Sequence, residues 1–281
     1  MSENYRKFIR MNQLPHVWCP GCGNGMIVKA LLDAVGELKL DQNKVVVVSG
    51  IGCAGRTPFV LDFNTMHTTH GRALAFASGI KLANPELRVI VIMGDGDASA
   101  IGGNHFIHAC RRNLDLTALI FNNGIYGLTG GQLAPTTPAG KRSTTSQSGS
   151  IEQAFDLVKL ALGAGAGFVA RTTSFDHKQA TSFIKRAITH RGFAVMDILT
   201  SCPTYFGRMN EVAEPYDMVH YLRDTSIPMQ DCSCSGGCGE SESPDVSLMP
   251  TGVFRDEERA DYGSLSRQKM AMATAGKGGE L

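Results

Sequence analysis

Five short apolar runs alternate along most of this chain with segments of helical periodicity, and this alternation limits the fold more than any other feature. The runs are KVVVVSGIG (44–52), RVIVIMGDGD (88–97), LTALIFNNG (116–124), GFVART (167–172) and FAVMDIL (193–199). Short β-branched runs of this kind are typical of strands buried on both faces. Because helical patterns separate them, the sequence predicts a parallel α/β sheet whose ligands bind outside the carboxyl ends of the strands.

The domain organisation follows from where the alternation stops. After Pro203 the chain contains one helical pattern over 210–222, a Cys/Gly/Ser-rich segment and a charged tail. We therefore expect one domain over residues 1–205 and an irregular C-terminal extension over 206–281. Inside the first domain, residues 129–150 are rich in Gly, Pro, Ser and Thr without periodicity, which predicts a long loop. Loops of this length in compact domains are more often functional than idle.

The composition argues against several classes of protein. The chain has 281 residues, of which 43% are hydrophobic, and a net charge of +1, so it can bury a large core and lacks the charge pattern of a nucleic-acid-binding protein. No apolar run approaches the roughly 18 residues of a membrane span, and the N-terminal residues contain no apolar signal segment. We therefore expect a cytoplasmic protein without a membrane partner. Its eight cysteines are not expected to form disulfides, and metal binding or redox chemistry becomes the favoured use of a cysteine motif.

Two of the predicted strands end in polar residues that suit a divalent cation. One ends in Gly-Asp-Gly (94–96) and the next in Asn-Asn-Gly (122–124). Because parallel strands have their carboxyl ends at one edge of the sheet, Asp95 and Asn123 are expected to converge there. A carboxylate, an amide oxygen and a backbone carbonyl suit Mg²⁺ that holds a diphosphate, and the glycines let the backbone approach the phosphates closely.

Two alternatives to this cation site are open. The first is a pair of ordinary strand-end turns, which is the weaker interpretation because both turns follow buried strands. The second is a dinucleotide-binding fingerprint in GIGCAGR (50–56), whose glycine spacing is correct. No helical pattern opens there, however, because Pro58 and a polar run occupy the place where the helix would begin.

The cysteines near the start of the chain form a Cys-Pro-Gly-Cys turn (19–22), which has three interpretations. It can be a redox dithiol, half of a zinc site, or two ligands of an iron–sulfur cluster. Two further cysteines, Cys53 and Cys202, follow predicted parallel strands and therefore belong to the same sheet edge as the cation site. Four thiolates are the usual ligand set of a four-iron cluster and also suit structural zinc, which accepts no electrons.

Six motifs resemble, in order and spacing, the β subunit of the 2-oxoacid:ferredoxin oxidoreductases. They are WCPGCG (18–23), SGIGCAGR (49–56), HTTHGRALAFASGIK (67–81), GDGDASAIGGNH (94–105), NNGIYGLTGGQ (122–132) and CPTYF (202–206). The Gly-Asp-Gly and Asn-Asn pair alone resembles the magnesium motif of thiamine diphosphate enzymes. The resemblance covers about residues 15–225, with a weaker match at 250–263, and it implies the parallel-sheet fold that binds the diphosphate half of thiamine diphosphate.

The resemblance also implies the site residues. Cys19, Cys22, Cys53 and Cys202 are expected to bind one 4Fe–4S cluster, and Asp95, Asn123 and the carbonyl of Ile125 are expected to bind Mg²⁺. The remaining expected contacts of the cofactor are Gly52, Cys53, His70, Gly94, Gly96, Asp97, Gly127 and Leu128. The reaction implied is oxidative decarboxylation of a 2-oxoacid to an acyl-CoA, with electrons passed through the cluster to ferredoxin.

A separate α subunit is a further expectation from the resemblance. Thiamine enzymes need a glutamate beside the aminopyrimidine ring, and this chain has no second α/β domain to supply it. The substrate is expected to be 2-oxoglutarate, because the match over 210–226 is closest to members that act on it. Arg56 is then the candidate partner of the distal carboxylate, with Leu128 shaping the pocket wall. Pyruvate or another 2-oxoacid is the alternative substrate, and an iron–sulfur electron carrier or a zinc-stabilised binding module is the alternative function.

The other cysteines fall outside these motifs. Cys232, Cys234 and Cys238 lie in DCSCSGGCG (231–239), which is not part of the family pattern. They form either a second metal site or, as the absence of a fourth ligand nearby favours, a surface segment with free thiols. Cys110 lies in a helical pattern and is expected to be a small core residue.

Overall fold

The computed structural model describes residues 6–229 and 248–277, and it contains the predicted sheet. The strands are β1 (Val45–Ser49), β2 (Asn64–His67), β3 (Arg88–Gly94), β4 (Thr117–Asn122), β5 (Ile125–Tyr126), β6 (Gln132–Leu133), β7 (Phe168–Thr173), β8 (Ala194–Leu199), β9 (Ser226–Pro228) and β10 (Met249–Asp256). Eight of them form one sheet in the order β2-β1-β3-β4-β8-β7-β10-β9, and β5 pairs with β6 in a small hairpin. In the main sheet every pair is parallel except β7 with β10.

Helices cover both faces of this sheet. They are α1 (Asn24–Glu37), α2 (Thr57–Val60), α3 (Ala73–Ala83), α4 (Gly103–Arg112), α5 (Leu157–Gly163), α6 (His177–Thr189), α7 (Pro215–Asp224) and α8 (Tyr262–Lys277). Val45 and Val47 of β1 pack into the core beneath α1 and α6, whereas Val46 and Val48 pack into the core beneath α3 and α4. Since successive strand residues point to opposite faces and both faces are covered, the strands are apolar throughout. None of the helices in the described ranges is both long and apolar enough to cross a bilayer.

The C-terminal extension is more regular than the sequence predicts. One helix is expected there over 210–222, and the structure has it as α7, but it also has β9, β10 and α8. Strand β10 joins the edge of the main sheet by pairing antiparallel with β7. Pro250 and Gly252 disfavour a strand by local propensity, so β10 depends on pairing with a partner far away in the sequence.

A buried ion pair fixes the carboxyl ends of the central strands. Arg171 of β7 donates from Nε to Asp197 Oδ2 of β8 at 2.8 Å, and Asp197 is 0% exposed. Asn122, the last residue of β4, donates to the other oxygen of Asp197 at 3.0 Å. Burial raises the pKa of Asp197, and Arg171 opposes that rise. The first asparagine of the Asn-Asn pair therefore has a structural role, which leaves Asn123 to face the site.

Candidate active site

Four neighbouring strand ends carry the residues that the sequence singles out. Strands β1, β3, β4 and β8 are adjacent in the sheet, and Cys53, Asp95, Asn123 and Cys202 follow them in that order. The register aligns Gly94 of β3 with Phe121 of β4, and Asn122 of β4 with Leu199 of β8. The expected convergence at one sheet edge is therefore present.

A cavity of about 560 Å³ opens at this edge, a volume typical of a small-molecule site. All four candidate cluster cysteines line it, together with four other residues predicted for the site. The eight are Cys19, Cys22, Cys53, Cys202, Arg56, Asn123, Gly127 and Leu128.

The Cys-Pro-Gly-Cys turn is held in the cavity wall by hydrogen bonds to distant segments. Gly23 donates from its backbone N–H to the carbonyl of Ser201 at 3.2 Å, and the Ser201 hydroxyl donates to the carbonyl of Gly21 at 2.8 Å. On the other side, Trp18 donates from Nε1 to the carbonyl of Cys53 at 2.8 Å. These bonds place the turn between the segments that carry Cys53 and Cys202.

Three of the cavity thiols have raised pKa values. Burial, together with smaller effects of the neighbouring cysteines, raises the pKa of Cys22 to about 12 and that of Cys53 to about 11. Burial also raises the pKa of Cys202. Redox-active Cys-x-x-Cys motifs contain a thiol of lowered pKa, whereas the pKa of Cys22 in this motif is raised. Iron or zinc would have to displace these thiol protons, because the thiolate is the ligand.

The four cysteines of the cavity are candidate ligands of a metal centre. Nowhere in residues 6–229 and 248–277 are three or more His, Cys, Asp and Glu side chains grouped so as to hold one metal ion. Four cysteines around one cavity are the usual ligand set of a four-iron cluster, and four thiolates also suit structural zinc.

Asp95 is the buried acid beside this cavity, and its side chain is already oriented. It is 2% exposed, its Oδ1 accepts a hydrogen bond from the backbone N–H of Asn123 at 3.4 Å, and its Oδ2 accepts one from the hydroxyl of Thr136. Burial raises its pKa to about 6, while these hydrogen bonds oppose the rise. The contact with Thr136 is not predicted from the sequence, because nothing local distinguishes one threonine of the long loop from another.

The remaining oxygen donors lie in the turn after β4. The side-chain Oδ1 of Asn123 accepts from the backbone N–H of Ile125 at 3.2 Å, which closes a short turn. An amide oxygen has two lone pairs and can accept this bond while it binds a cation. The carboxylate of Asp95, the amide of Asn123 and the backbone of Ile125 are thus a hard-oxygen set of the type that Mg²⁺ prefers.

The glycines beside Asp95 have different roles. A Cβ atom on Gly52 or Gly94 would meet no atom within 4 Å, so both line open space of the kind that a diphosphate requires. A Cβ on Gly96 would lie 2.4 Å from the ring of Tyr126, whose hydroxyl donates to the carbonyl of Gly96 at 3.2 Å. Gly96 therefore packs beneath Tyr126, another residue that the sequence does not identify.

His70 and Asp97, both expected to contact the cofactor, lie against each other. His70 Nδ1 lies 2.8 Å from Asp97 Oδ1, and that oxygen also accepts from the backbone N–H of Gly71 at 2.6 Å. His70 is half-buried and Asp97 is buried. Asp97 therefore lies next to the imidazole of His70 at the start of the segment that leads into α3.

The two candidate substrate residues both line the cavity. The guanidinium carbon of Arg56 lies 5.6 Å from the centroid of the Phe59 ring, within the range of a cation–π contact. Leu128 is 45% exposed at the cavity mouth. The cysteines at 232, 234 and 238 lie outside the described residues, and Cys110 is buried in the core as expected.

The sequence of this chain is similar to those of known proteins. Residues 39–198 match the family model of the thiamine pyrophosphate enzyme, C-terminal TPP binding domain. The chain is 51% identical to the 2-oxoglutarate synthase subunit KorB of Methanocaldococcus jannaschii, over 91% of this chain and 93% of that protein. It is 52% identical to the KorB subunit of Archaeoglobus fulgidus, over 93% of this chain and 92% of that protein.

A solved structure agrees with the sequence relatives. The 2-oxoglutarate:ferredoxin oxidoreductase of Magnetococcus marinus, with 2-oxoglutarate, coenzyme A and succinyl-CoA bound, superposes with a TM-score of 0.87 at 32% identity. The match covers 97% of this chain and 91% of that one. The thiamine-binding fold implied by the resemblance is therefore confirmed, and the chain belongs to the β subunits of the 2-oxoacid:ferredoxin oxidoreductases.

Proposed function

We propose that this chain is the thiamine diphosphate-binding β subunit of a cytoplasmic enzyme that oxidises 2-oxoglutarate to succinyl-CoA. In the overall reaction 2-oxoglutarate loses CO₂, and its acyl carbon is joined to the sulfur of coenzyme A, whose thiol proton is released. Two electrons leave for two oxidised ferredoxins. The observation that carries the proposal is the position of Gly127. A Cβ there would lie 3.4 Å from Cys53 Sγ, 3.7 Å from Cys202 Sγ and 3.8 Å from Asn123 Nδ2. Sulfur ligands and the diphosphate side of the cavity thus meet at one residue.

Different residues of this chain bind the magnesium diphosphate and the iron–sulfur cluster. Asp95, Asn123 and the carbonyl of Ile125 hold Mg²⁺ on the diphosphate, and Gly52 and Gly94 leave room for its phosphates. Cys19, Cys22, Cys53 and Cys202 hold a 4Fe–4S cluster beside it. When bound, thiamine diphosphate supplies an electron sink for decarboxylation and the cluster supplies a path for single electrons.

The assignment of 2-oxoglutarate as the substrate rests on the names of the relatives and on the cationic side chain of Arg56. The M. jannaschii and A. fulgidus proteins are named 2-oxoglutarate synthase subunits, and the M. marinus enzyme contains bound 2-oxoglutarate and coenzyme A. Arg56 of this chain lines the cavity together with Leu128. A guanidinium there can pair with the distal carboxylate of 2-oxoglutarate, whereas pyruvate has no distal charge.

The first prediction concerns the missing glutamate. None of the described residues that line the cavity is a glutamate, so the chain needs an α subunit to activate the aminopyrimidine ring. Purified alone under anaerobic conditions, the chain should release no CO₂ from 2-oxoglutarate, while co-expression with an α subunit should restore release. The measurement is ¹⁴CO₂ release with thiamine diphosphate, Mg²⁺ and coenzyme A present. Full activity from the single chain would contradict the proposal.

The second prediction separates two substrates with Arg56→Ala. The catalytic efficiency on 2-oxoglutarate should fall by about 2–3 kcal/mol in transition-state terms, the scale of a charge-assisted hydrogen bond. Efficiency on 2-oxobutyrate, which lacks the distal carboxylate, should change little. Arg223, which is exposed and pairs with Asp224, provides the control variant Arg223→Ala. Equal losses on both substrates would show that Arg56 does not recognise the distal carboxylate.

A further inference from the structure

Two adjacent threonines of the long loop over 129–150 lie between the ends of β3 and β4. Thr136 is 7% exposed and Thr137 is 2% exposed. The hydroxyl of Thr136 donates to Asp95 Oδ2, and the hydroxyl of Thr137 donates to the carbonyl of Gly124 at 2.6 Å. One dipeptide therefore contacts both the Gly-Asp-Gly turn and the Asn-Asn-Gly turn.

The contact of Thr136 determines how the carboxylate of Asp95 is turned. The terminal side-chain torsion angle of an aspartate has a broad distribution, so the backbone alone does not fix the direction of its two oxygens. Thr136 takes Oδ2, and Oδ1 then lies on the side of Asn123, where it accepts the backbone N–H at 3.4 Å. The free lone pairs of Oδ1 are thereby held toward the turn that carries the other oxygen donors.

The loop is built to hold this dipeptide in place. Within the loop, the backbone N–H of Gly140 donates to the carbonyl of Ser150 at 2.7 Å. Just beyond the loop, the backbone N–H of Phe155 donates to the carbonyl of Pro135 at 2.8 Å. Thr137 also accepts from the backbone N–H of Ala134 at 2.9 Å, so its hydroxyl is satisfied on both sides. Closure of the loop thus fixes the backbone on either side of Thr136.

We propose that Thr136 is a positioning residue of the magnesium site, which it serves by fixing the carboxylate of Asp95, and that Thr137 supports it by holding the turn at Gly124. The inference rests on the proposed function, because it requires that Asp95 binds Mg²⁺. Outer-shell partners of this kind orient the ligands of a metal, and their loss costs about 10–100-fold in metal affinity. We thereby assign a role to the loop over 129–150, whose length and composition indicate a function but do not identify a residue.

The test compares Thr136→Val with Thr136→Ser in the full chain. Valine keeps the shape and removes the hydroxyl, whereas serine keeps the hydroxyl. Binding of thiamine diphosphate is measured by isothermal titration calorimetry at a series of Mg²⁺ concentrations. The valine variant should need about 10–100-fold more Mg²⁺ for half-maximal binding, and the serine variant should stay within about threefold of wild type. Thr144→Val, an exposed threonine of the same loop, is the matched control and should bind as wild type does.

A thermal melt without Mg²⁺ separates positioning from folding. If the valine variant melts well below wild type, Thr136→Ala replaces it, since alanine removes the hydroxyl without adding a methyl contact. If the valine variant, or the alanine variant that replaces it, needs no more Mg²⁺ than wild type does, the inference is overturned while the proposed function stays intact. Absence of Mg²⁺-dependent binding in the wild type would overturn the proposed function, and the inference with it.

Discussion

Replacement of Asp95 by alanine is expected to abolish thiamine diphosphate binding while the iron content of the chain stays at the wild-type value. Asp95 is the one carboxylate in the proposed magnesium set, and it is 2% exposed. Its loss removes the charge that balances Mg²⁺ and leaves Thr136 without its acceptor. Since even outer-shell partners cost about 10–100-fold in affinity, loss of this ligand should weaken binding by more than about 100-fold.

Calorimetry of cofactor binding and an iron assay on the same sample measure both expectations. Asp62→Ala is the control, because Asp62 is an exposed acid whose side chain lies 3.8 Å from Arg10, and it should bind the cofactor as wild type does. Wild-type affinity in the Asp95→Ala variant would show that another residue holds the cation. Simultaneous loss of iron would show that the two sites are not independent.

Replacement of Cys53 by serine is expected to remove the visible colour and most of the iron. Cys53 follows β1, lines the cavity with the other three cysteines, and lies against Gly127. Wild-type protein purified without oxygen should be brown and contain about four irons, the content of a cluster held by four thiolates. The serine variant keeps the size of the side chain but replaces the thiolate with a poorer ligand, so its iron content should fall well below that value.

Two other cysteines serve as controls for this experiment. Cys110→Ala changes a cysteine that is buried in the core away from the cavity, and the colour should persist. Cys234→Ser changes a cysteine outside the described residues, which the sequence favours as a free thiol, and it should also stay brown. A colourless wild-type protein with stoichiometric zinc would contradict the assignment of a cluster.

The sheet and the diphosphate side of the site are predictable because their signals are local. The apolar runs before Asp95 and Asn123 define buried strands, and parallel strands end at one edge, so the sequence predicts that both residues lie at that edge. The same rule places Cys53 and Cys202 at that edge. Each inference uses only a few consecutive residues and a general rule of α/β topology.

The parts that the sequence does not predict depend on contacts between distant segments. Trp18 and Ser201 hold the Cys-Pro-Gly-Cys turn through hydrogen bonds to backbone carbonyls, and no pattern in either segment indicates the other. The same is true of Thr136, which becomes important only because the loop folds back onto Asp95. Strand β10 pairs with β7 and β9, which lie far from it in the sequence, and its Pro250 and Gly252 disfavour a strand.

The visible spectrum of the two-subunit complex during turnover shows whether the thiamine diphosphate site and the iron–sulfur cluster act in one reaction. The complex is held without oxygen with thiamine diphosphate, Mg²⁺ and coenzyme A, and 2-oxoglutarate is then added. We expect the visible absorption to fall as CO₂ is released and to return when oxidised ferredoxin is supplied. Release of CO₂ from an iron-loaded complex whose spectrum stays unchanged would show that the cluster does not take the electrons of this reaction.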